Sequence, residues 1–280
     1  MVTKITIGNI LAAKQQNKKI AAVSCYDCLT AKFAEQAGIE MIIVGDSAAQ
    51  VVLGYDSTLP ATMDFMAAIT AGVRRGAQNA FVVADMPFLS YQADINEAVK
   101  NAGRFVAEAG ASMVKIEATR AYLDVIKRVS EAGIAVMAHI GIRPQSINKL
   151  GKLRAEGTNA QMAADLVSLA KEMVYAGASM LLLEGVAQEA AGIITKSVNV
   201  PVIGCGSGAE CDGQVLIAPD ILGLTQGVTP KFAKSYTNLA EGIQNAFMEY
   251  AKEIKEGKFP DSEHSYHMKA GELDCLKRLL

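Results

Sequence analysis
A closed (β/α)8, or TIM, barrel is the architecture this sequence predicts, and three observations predict it. Short apolar runs alternate with longer segments of helical period from one end nearly to the other. The runs are rich in β-branched residues without polar alternation, as expected of strands buried on both faces. Several helical segments stop at Ala-Gly just before the next run, at Gly38, Gly110, Gly133 and Gly177, where glycine suits the left-handed position that ends a helix. About eight such units fit one barrel domain over residues 1–280, because barrels of roughly 250 residues are commonly a single domain. An open, doubly wound sheet is the structural alternative.

The expected strands, in order, are 20–27, 41–47, 81–88, 113–118, 135–142, 180–186 and 200–208, with a weaker eighth at 220–224. The helical segments between them include LTAKFAEQAG, TMDFMAAITAGVRRGAQ, INEAVKNAGRFVAEAG and AADLVSLAKEMVYAG. An amphipathic stretch near the N-terminus predicts a helix ahead of the first strand, and 232–258 reads as one long C-terminal helix with an apolar stripe. That stripe suits either closure of the barrel or a subunit contact. The polar segment 148–160 breaks the rhythm after the fifth strand and is a candidate lid or simply a long connection.

Composition narrows the class. An apolar fraction of 51% against 20% charged supplies a sizeable core. A net charge of −2 without a basic face argues against nucleic acid as a partner. No apolar run reaches the roughly 20 residues of a bilayer helix, and no signal-peptide pattern opens the chain, so no membrane partner and a cytoplasmic location are expected. Five cysteines make no disulfide framework in a chain this long. Cys25 and Cys28 form a C-x-x-C without the second pair a zinc site requires. His264 and His267 form an isolated H-x-x-H.

Barrel strands should stay apolar until their C-terminal ends, where side chains reach the catalytic face. The expected strands end in Asp27, Asp46-Ser47, Asp85, Lys115 with Glu117, His139 and Glu184, and the seventh runs into Gly204-Cys205-Gly206-Ser207-Gly208. Taken singly, Asp46 or Asp85 is explained as a turn cap, and His139 as a satisfied core histidine. Collected at one mouth they point to a site, because a carboxylate in an apolar strand is costly unless paired or metal-bound. Asp46, Asp85 and Glu117 are hard oxygen ligands with no accompanying cysteine or histidine pair, which favours Mg²⁺ over zinc. Such an ion polarises a carbonyl as a Lewis acid. Lys115 shares a strand face with Glu117 and suits a substrate carboxylate or enolate. Glu184 then suits a base acting beside the carbonyl of a small 2-oxo acid.

Longer motifs run in the same order along the chain: VGDS (44–47), DSTLP (56–60), RRGA (74–77), ADMPF (84–88), MVKIE (113–117), AHIGIRPQS (138–146), LLLE (181–184), PVIGCGSG (201–208), CDGQVL (211–216), PKFAK (230–234) and EHSYH (263–267). On these motifs the chain resembles the ketopantoate hydroxymethyltransferase family over nearly its whole length. The resemblance implies a barrel of the phosphoenolpyruvate/pyruvate-type superfamily. It also implies Mg²⁺-dependent one-carbon transfer from 5,10-methylenetetrahydrofolate to 3-methyl-2-oxobutanoate, giving 2-dehydropantoate in pantothenate biosynthesis. By position it implies Asp46 and Asp85 as metal ligands with Glu117 as the third carboxylate, and Asp46, Ser47, Asp85 and Lys115 as 2-oxo acid contacts. Backbone N–H groups around Ser47 are expected donors, Glu184 the proton acceptor and His139 a pocket residue. A large homo-oligomer, often a decamer, is implied as well. Two other readings of the same residues are a related Mg²⁺-enolate lyase or aldolase acting on another 2-oxo acid, and a catalytically idle oligomeric paralogue.

Overall fold
The computed structural model describes residues 3–227 and 229–280. Its strands are β1 (Ile20–Ser24), β2 (Met41–Val44), β3 (Phe81–Asp85), β4 (Met113–Glu117), β5 (Val136–Gly141), β6 (Met180–Glu184), β7 (Val202–Cys205) and β8 (Gly213–Ile217). They form a closed parallel barrel in chain order, with β8 pairing back onto β1. Helix α1 (Ile7–Gln15) precedes the barrel. Around it run α2 (Cys28–Gln36), α3 (Ala48–Val51), α4 (Met63–Gly76), α5 (Ile95–Ala107), α6 (Leu123–Glu131), α7 (Ile147–Leu150), α8 (Ala160–Tyr175), α9 (Gln188–Ser197) and α10 (Ala218–Leu222). The chain ends in α11 (Leu239–Lys255) and α12 (Glu272–Leu279). Among the described residues no helix is long and apolar enough to cross a membrane.

Strand periodicity sorts the core into two layers. Alternate residues face opposite sides of a strand, so Ile42, Val82, Val114, Ala138, Leu181 and Val202 pack outward against the helices. The residues of opposite parity, Met41, Phe81, Met113, Met137, Met180 and Ile203, fill the barrel interior together with Ile10 of α1, which plugs its floor. Following the inward parity up β4 gives Met113, then Lys115, then Glu117. The same rule carries β3 from Phe81 and Val83 to Asp85, β5 from Met137 to His139, and β6 from Met180 and Leu182 to Glu184. Polar side chains therefore crown an apolar column at one end of the barrel.

The four glycines expected to stop helices do so, with φ of +87° at Gly38, +74° at Gly110, +86° at Gly133 and +107° at Gly177. Gly76 serves a different need: a Cβ there would run into the Cys28 carbonyl oxygen, so its absence lets α4 lie against the start of α2.

Three expectations are corrected. The eighth strand is Gly213–Ile217 rather than 220–224. Gly213 lets β8 approach β1 closely, since a Cβ there would fall 2.6 Å from Ile20 O. Pro219 lies in the first turn of helix α10, where a missing N–H costs nothing, and so 220–222 is helical and Gly223 caps it in the left-handed region. The long C-terminal helix begins at Leu239, not 232, because Tyr236 N–H donates to Ile221 O and Ser235 to Asp220 O, which ties that stretch down as a loop. Asp27 is an N-cap: its carboxylate accepts from Leu29 N–H and Thr30 N–H at 2.9 Å each, satisfying helix-end donors, and it does not line the cavity at the barrel mouth.

Segment 148–160 is anchored at its middle. Glu156 forms a parallel bridge with Val186, its N–H donating to Gly185 O at 3.0 Å, while Leu153 faces the barrel mouth. Cys25 is buried and Cys28 exposed, and both are free thiols.

Candidate active site
A cavity of about 440 Å³ opens at the C-terminal ends of the strands. Asp46, Ser47, Asp85, Lys115, Glu117, His139 and Glu184 all line it, so of the polar strand ends expected there from the sequence the structure brings together all but Asp27. Register explains the convergence. In the parallel ladders Asp85 pairs with Lys115, Glu117 with His139, and Gly141 with Glu184, which stacks the inward side chains of neighbouring strands at one height.

One polar chain crosses the mouth. Lys115 Nζ lies 3.1 Å from Asp85 Oδ2 and 3.1 Å from His139 Nδ1. An ammonium can only donate, so Nδ1 accepts and the neutral ring carries its proton on Nε2. That atom stands 3.4 Å from Glu184 Oε2, just outside hydrogen-bonding geometry. Burial, followed by the Lys115 charge, holds the His139 pKa below its ordinary value, so the ring is a fixed neutral donor.

The remaining carboxylates are crowded and dry. Asp46, Asp85 and Glu117 are each at most 5% exposed. Burial and then the neighbouring Asp85 push the Asp46 carboxyl up to about 7. Burial pushes Glu117 up to about 8, with Lys115 opposing it. Burial alone would lower Lys115, yet Asp85, Asp46 and Glu117 together hold its ammonium above the ordinary value. Ionising all three carboxylates against one ammonium would give an excess of two negative charges, which the raised values of Asp46 and Glu117 resist and a divalent cation would neutralise. Asp85 Oδ1 is also buried without a hydrogen-bond partner.

Among the described residues no three His, Cys, Asp or Glu side chains close into a ready-made ion cage. Protein donors already hold part of each acid here. Mg²⁺ needs no such cage, since it keeps several waters and takes one or two carboxylates. The hard oxygen donors, the excess negative charge and the orphaned Asp85 oxygen fit that ion.

Around Ser47 the backbone offers less than expected. The N–H groups of Asp46, Ala48 and Ala49 already donate to Asp85 Oδ2 at 3.1 Å, Gly45 O at 3.0 Å and Asp46 O at 2.9 Å. Only the Ser47 amide remains for an incoming acid among these donors. Its Oγ pairs with Tyr26 O–H at 2.8 Å. Gly45 makes room for this, because a Cβ there would fall 2.7 Å from Ser47 Oγ and 3.0 Å from Ser24 Oγ.

Sequence reasoning missed Gln145, Tyr91 and Asp220. Gln145 and Tyr91 lie in loops, where no strand parity marks a residue as inward. Asp220 lines the cavity from α10, in the stretch misread as a strand, with Oδ1 accepting from Thr225 at 2.6 Å. The H-x-x-H histidines lie in an exposed C-terminal turn, His264 bonded to Asp261 at 2.7 Å and His267 to Ser262.

Comparison with known proteins gives one consistent result. The family model described as ketopantoate hydroxymethyltransferase matches residues 4–262. A 3-methyl-2-oxobutanoate hydroxymethyltransferase of Syntrophus aciditrophicus is 45% identical, over 94% of this chain and 97% of that protein. One of the same name from Clostridium kluyveri is 43% identical over 99% of both. Among solved structures, 2,3-dimethylmalate lyase, a PEP mutase/isocitrate lyase superfamily member, superposes with a TM-score of 0.61 at 17% identity, covering 98% of this chain and 99% of its own. Phosphonopyruvate hydrolase in complex with oxalate and Mg²⁺ superposes with a TM-score of 0.61 at 14% identity, covering 98% and 97%. At such identities the two structures establish the barrel alone. The family match over most of the chain, on a barrel whose mouth gathers the carboxylates, lysine and histidine described above, establishes that this chain belongs to the ketopantoate hydroxymethyltransferase family.

Proposed function
We propose that the chain, as a single barrel domain, transfers a hydroxymethyl group from 5,10-methylenetetrahydrofolate to 3-methyl-2-oxobutanoate, giving 2-dehydropantoate for pantothenate biosynthesis. The observation that carries this reading is one cavity holding a buried acidic cluster, a buried lysine and a separate, less committed carboxylate, in a chain 45% identical to a protein of that name.

Asp46 and Asp85, with Glu117 beside them, would hold Mg²⁺, which when bound supplies Lewis-acid polarisation of the 2-oxo group. Lys115 and the Ser47 N–H bind and orient the substrate acid. His139 presents its Nε2 proton toward Glu184 and keeps that carboxylate facing the cavity. Glu184 takes the C3 proton; C3 then attacks the folate methylene carbon as one of its two C–N bonds breaks, and water displaces the second nitrogen and supplies the hydroxyl, leaving tetrahydrofolate. The relatives' shared name favours this reaction over lyase or aldolase chemistry, since the lyase-like structures share only the fold. An idle paralogue would have no physical need to keep so many buried charges.

A homo-oligomer is part of the reading. Helix α11 has no buried residue, and Ile243, Phe247, Tyr250 and Ile254 form an exposed stripe along it at the spacing of one helix face. Such a stripe suits burial against another copy better than closure of its own barrel.

The test is incubation with 3-methyl-2-oxobutanoate and Mg²⁺ in D₂O, with and without methylenetetrahydrofolate. Deuterium exchange at C3 without folate and 2-dehydropantoate with it are expected. Exchange with no product would point to a related enzyme, and neither signal would sink the proposal.

Proton linkage gives a second expectation. A carboxyl whose folded pKa is raised favours the folded state fully below its ordinary value, and that stability is lost as pH rises through the folded one. The ordinary values are 3.8 and 4.5, the folded ones about 7 for Asp46 and about 8 for Glu117. Metal-free protein should therefore lose stability between pH 5 and 8, read as about 2–4 °C of Tm per kcal/mol at roughly this chain length. Saturating Mg²⁺ should oppose the loss, so the Tm gap between loaded and chelated protein should widen with pH. A gap independent of pH would contradict the assignment of these carboxylates to the metal.

A further inference from the structure
Gln145 sits in the short turn Pro144–Ser146 after β5, is 5% exposed, and reaches back across the ends of three strands. Its Nε2 donates to Asp46 Oδ2 at 2.8 Å and to Met86 O at 3.0 Å. Its Oε1 accepts from Gln92 Nε2 at 3.0 Å and lies 2.8 Å from the Tyr91 hydroxyl. Its backbone N–H faces both Glu117 oxygens, at 3.3 Å and 3.1 Å. Asp46 Oδ2 and the Met86 carbonyl can only accept, so the NH₂ end of the amide must point at them and the oxygen at Tyr91 and Gln92. The orientation of the amide is over-determined.

The two acids it holds are not neighbours. Asp46 follows β2 and Glu117 ends β4, with β3 between them. Nothing in the strand ladder sets the orientation of one carboxylate against the other. Gln145 does so from a loop: it engages Asp46 Oδ2, leaving Oδ1 for the cavity, and it fixes the Glu117 carboxylate from behind. Tyr91 O–H, which also lies 3.1 Å from Glu117 O, hydrogen-bonds to Gln145 and to none of the three acidic side chains.

We propose that Gln145 is the positioning residue that presents Asp46 and Glu117 to the divalent ion, and that Tyr91 acts on the site through it. The inference rests on the Mg²⁺ reading above. A carboxylate already held at the geometry of the ion gives up less freedom on binding, and partners of this kind are typically worth about 10–100-fold in metal affinity.

The test is calorimetric titration of substrate-free protein with Mg²⁺, using wild type, Gln145→Met, Tyr91→Phe and the double variant, with melting curves alongside. Gln145→Met keeps the side-chain length and loses the amide, and about 10–100-fold weaker Mg²⁺ binding is expected. Tyr91→Phe should weaken binding less, and adding it to Gln145→Met should cause no further loss, because residues acting through one another are not additive. A lowered Tm with Mg²⁺ affinity intact would mark Gln145 as merely structural and overturn the proposal, and additive losses would overturn the role of Tyr91. Should Gln145→Met fail to fold, Tyr91→Phe decides, since it leaves Gln145 in place and removes one of the two partners of its Oε1: weaker binding supports the proposal and unchanged affinity overturns it. Wild type that binds no Mg²⁺ would remove the metal reading itself, a result distinct from wild-type binding that the variants leave unchanged.

Discussion
Glu184→Gln is expected to reduce both C3 deuterium exchange and turnover by about 10²–10⁴-fold, the usual contribution of a positioned general base. The amide keeps the shape of the carboxylate and removes the oxygen that takes the proton. Of Asp46, Asp85, Glu117 and Glu184, the last is the least engaged. Asp46 accepts from Gln145 and Asp85 from Lys115, while both Glu117 oxygens face a backbone N–H. Glu184 faces His139 Nε2, at 3.4 Å. Its side chain is also 23% exposed, against 4% for Asp85, which leaves it open to a substrate entering from the mouth. Because Glu184 lies outside the metal-binding group, Mg²⁺ affinity and Tm should stay near wild type. Undiminished exchange in this variant would remove Glu184 as the base.

Lys115→Met should cost stability as well as activity. The lysine is the cation in contact with Asp85, and its charge also acts on Asp46 and Glu117. Methionine replaces the stem without the charge. Breaking a buried pair by removing one partner typically costs about 3–5 kcal/mol, seen here as a lower Tm for metal-free protein. Acidification lets the stranded carboxyls take up protons, so the Tm gap to wild type should narrow as pH falls. Activity should drop further than stability explains, with a raised KM for the 2-oxo acid, because the charge that meets the substrate carboxylate is gone. His139 also loses the donor that fixes its ring proton on Nε2, so the orientation of Glu184 should suffer in the same variant. A variant that melts with wild type and keeps its KM would show that Lys115 neither balances the cluster nor meets the acid. Arginine should not restore function, since a planar guanidinium cannot take the compact place of an ammonium between Asp85 Oδ2 and His139 Nδ1.

Much of the site was legible because strand residues obey a parity rule. Once Met113 is known to face inward, Lys115 and Glu117 must as well, and a parallel closed barrel places the ends of all strands at one mouth. Asp85, His139 and Glu184 follow from the same rule without any distance being known, whereas Asp46 lies past the end of β2 with the parity of the outward residues Ile42 and Val44, so only the turn after the strand brings it into the mouth. Where the rule has no purchase, the sequence misled or stayed silent. Asp27 sits one turn past its strand and caps a helix. The apolar run after Pro219 is as compatible with a helix as with a strand, and only the pairing of Gly213–Ile217 with β1 decides between them.

Local residue pattern, then, determined the strands, their inward faces and the chemical character of the mouth, because those depend on periodicities of two and 3.6 that neighbouring residues set among themselves. Tertiary structure alone decided that a glutamine from the loop after β5 bridges Asp46 and Glu117, that Lys115 fixes the His139 proton on Nε2, and that the apolar stripe of α11 stays exposed, with no buried residue on the helix. Those outcomes are contacts, or missing contacts, between residues far apart in sequence, and closure of the barrel sets their distances.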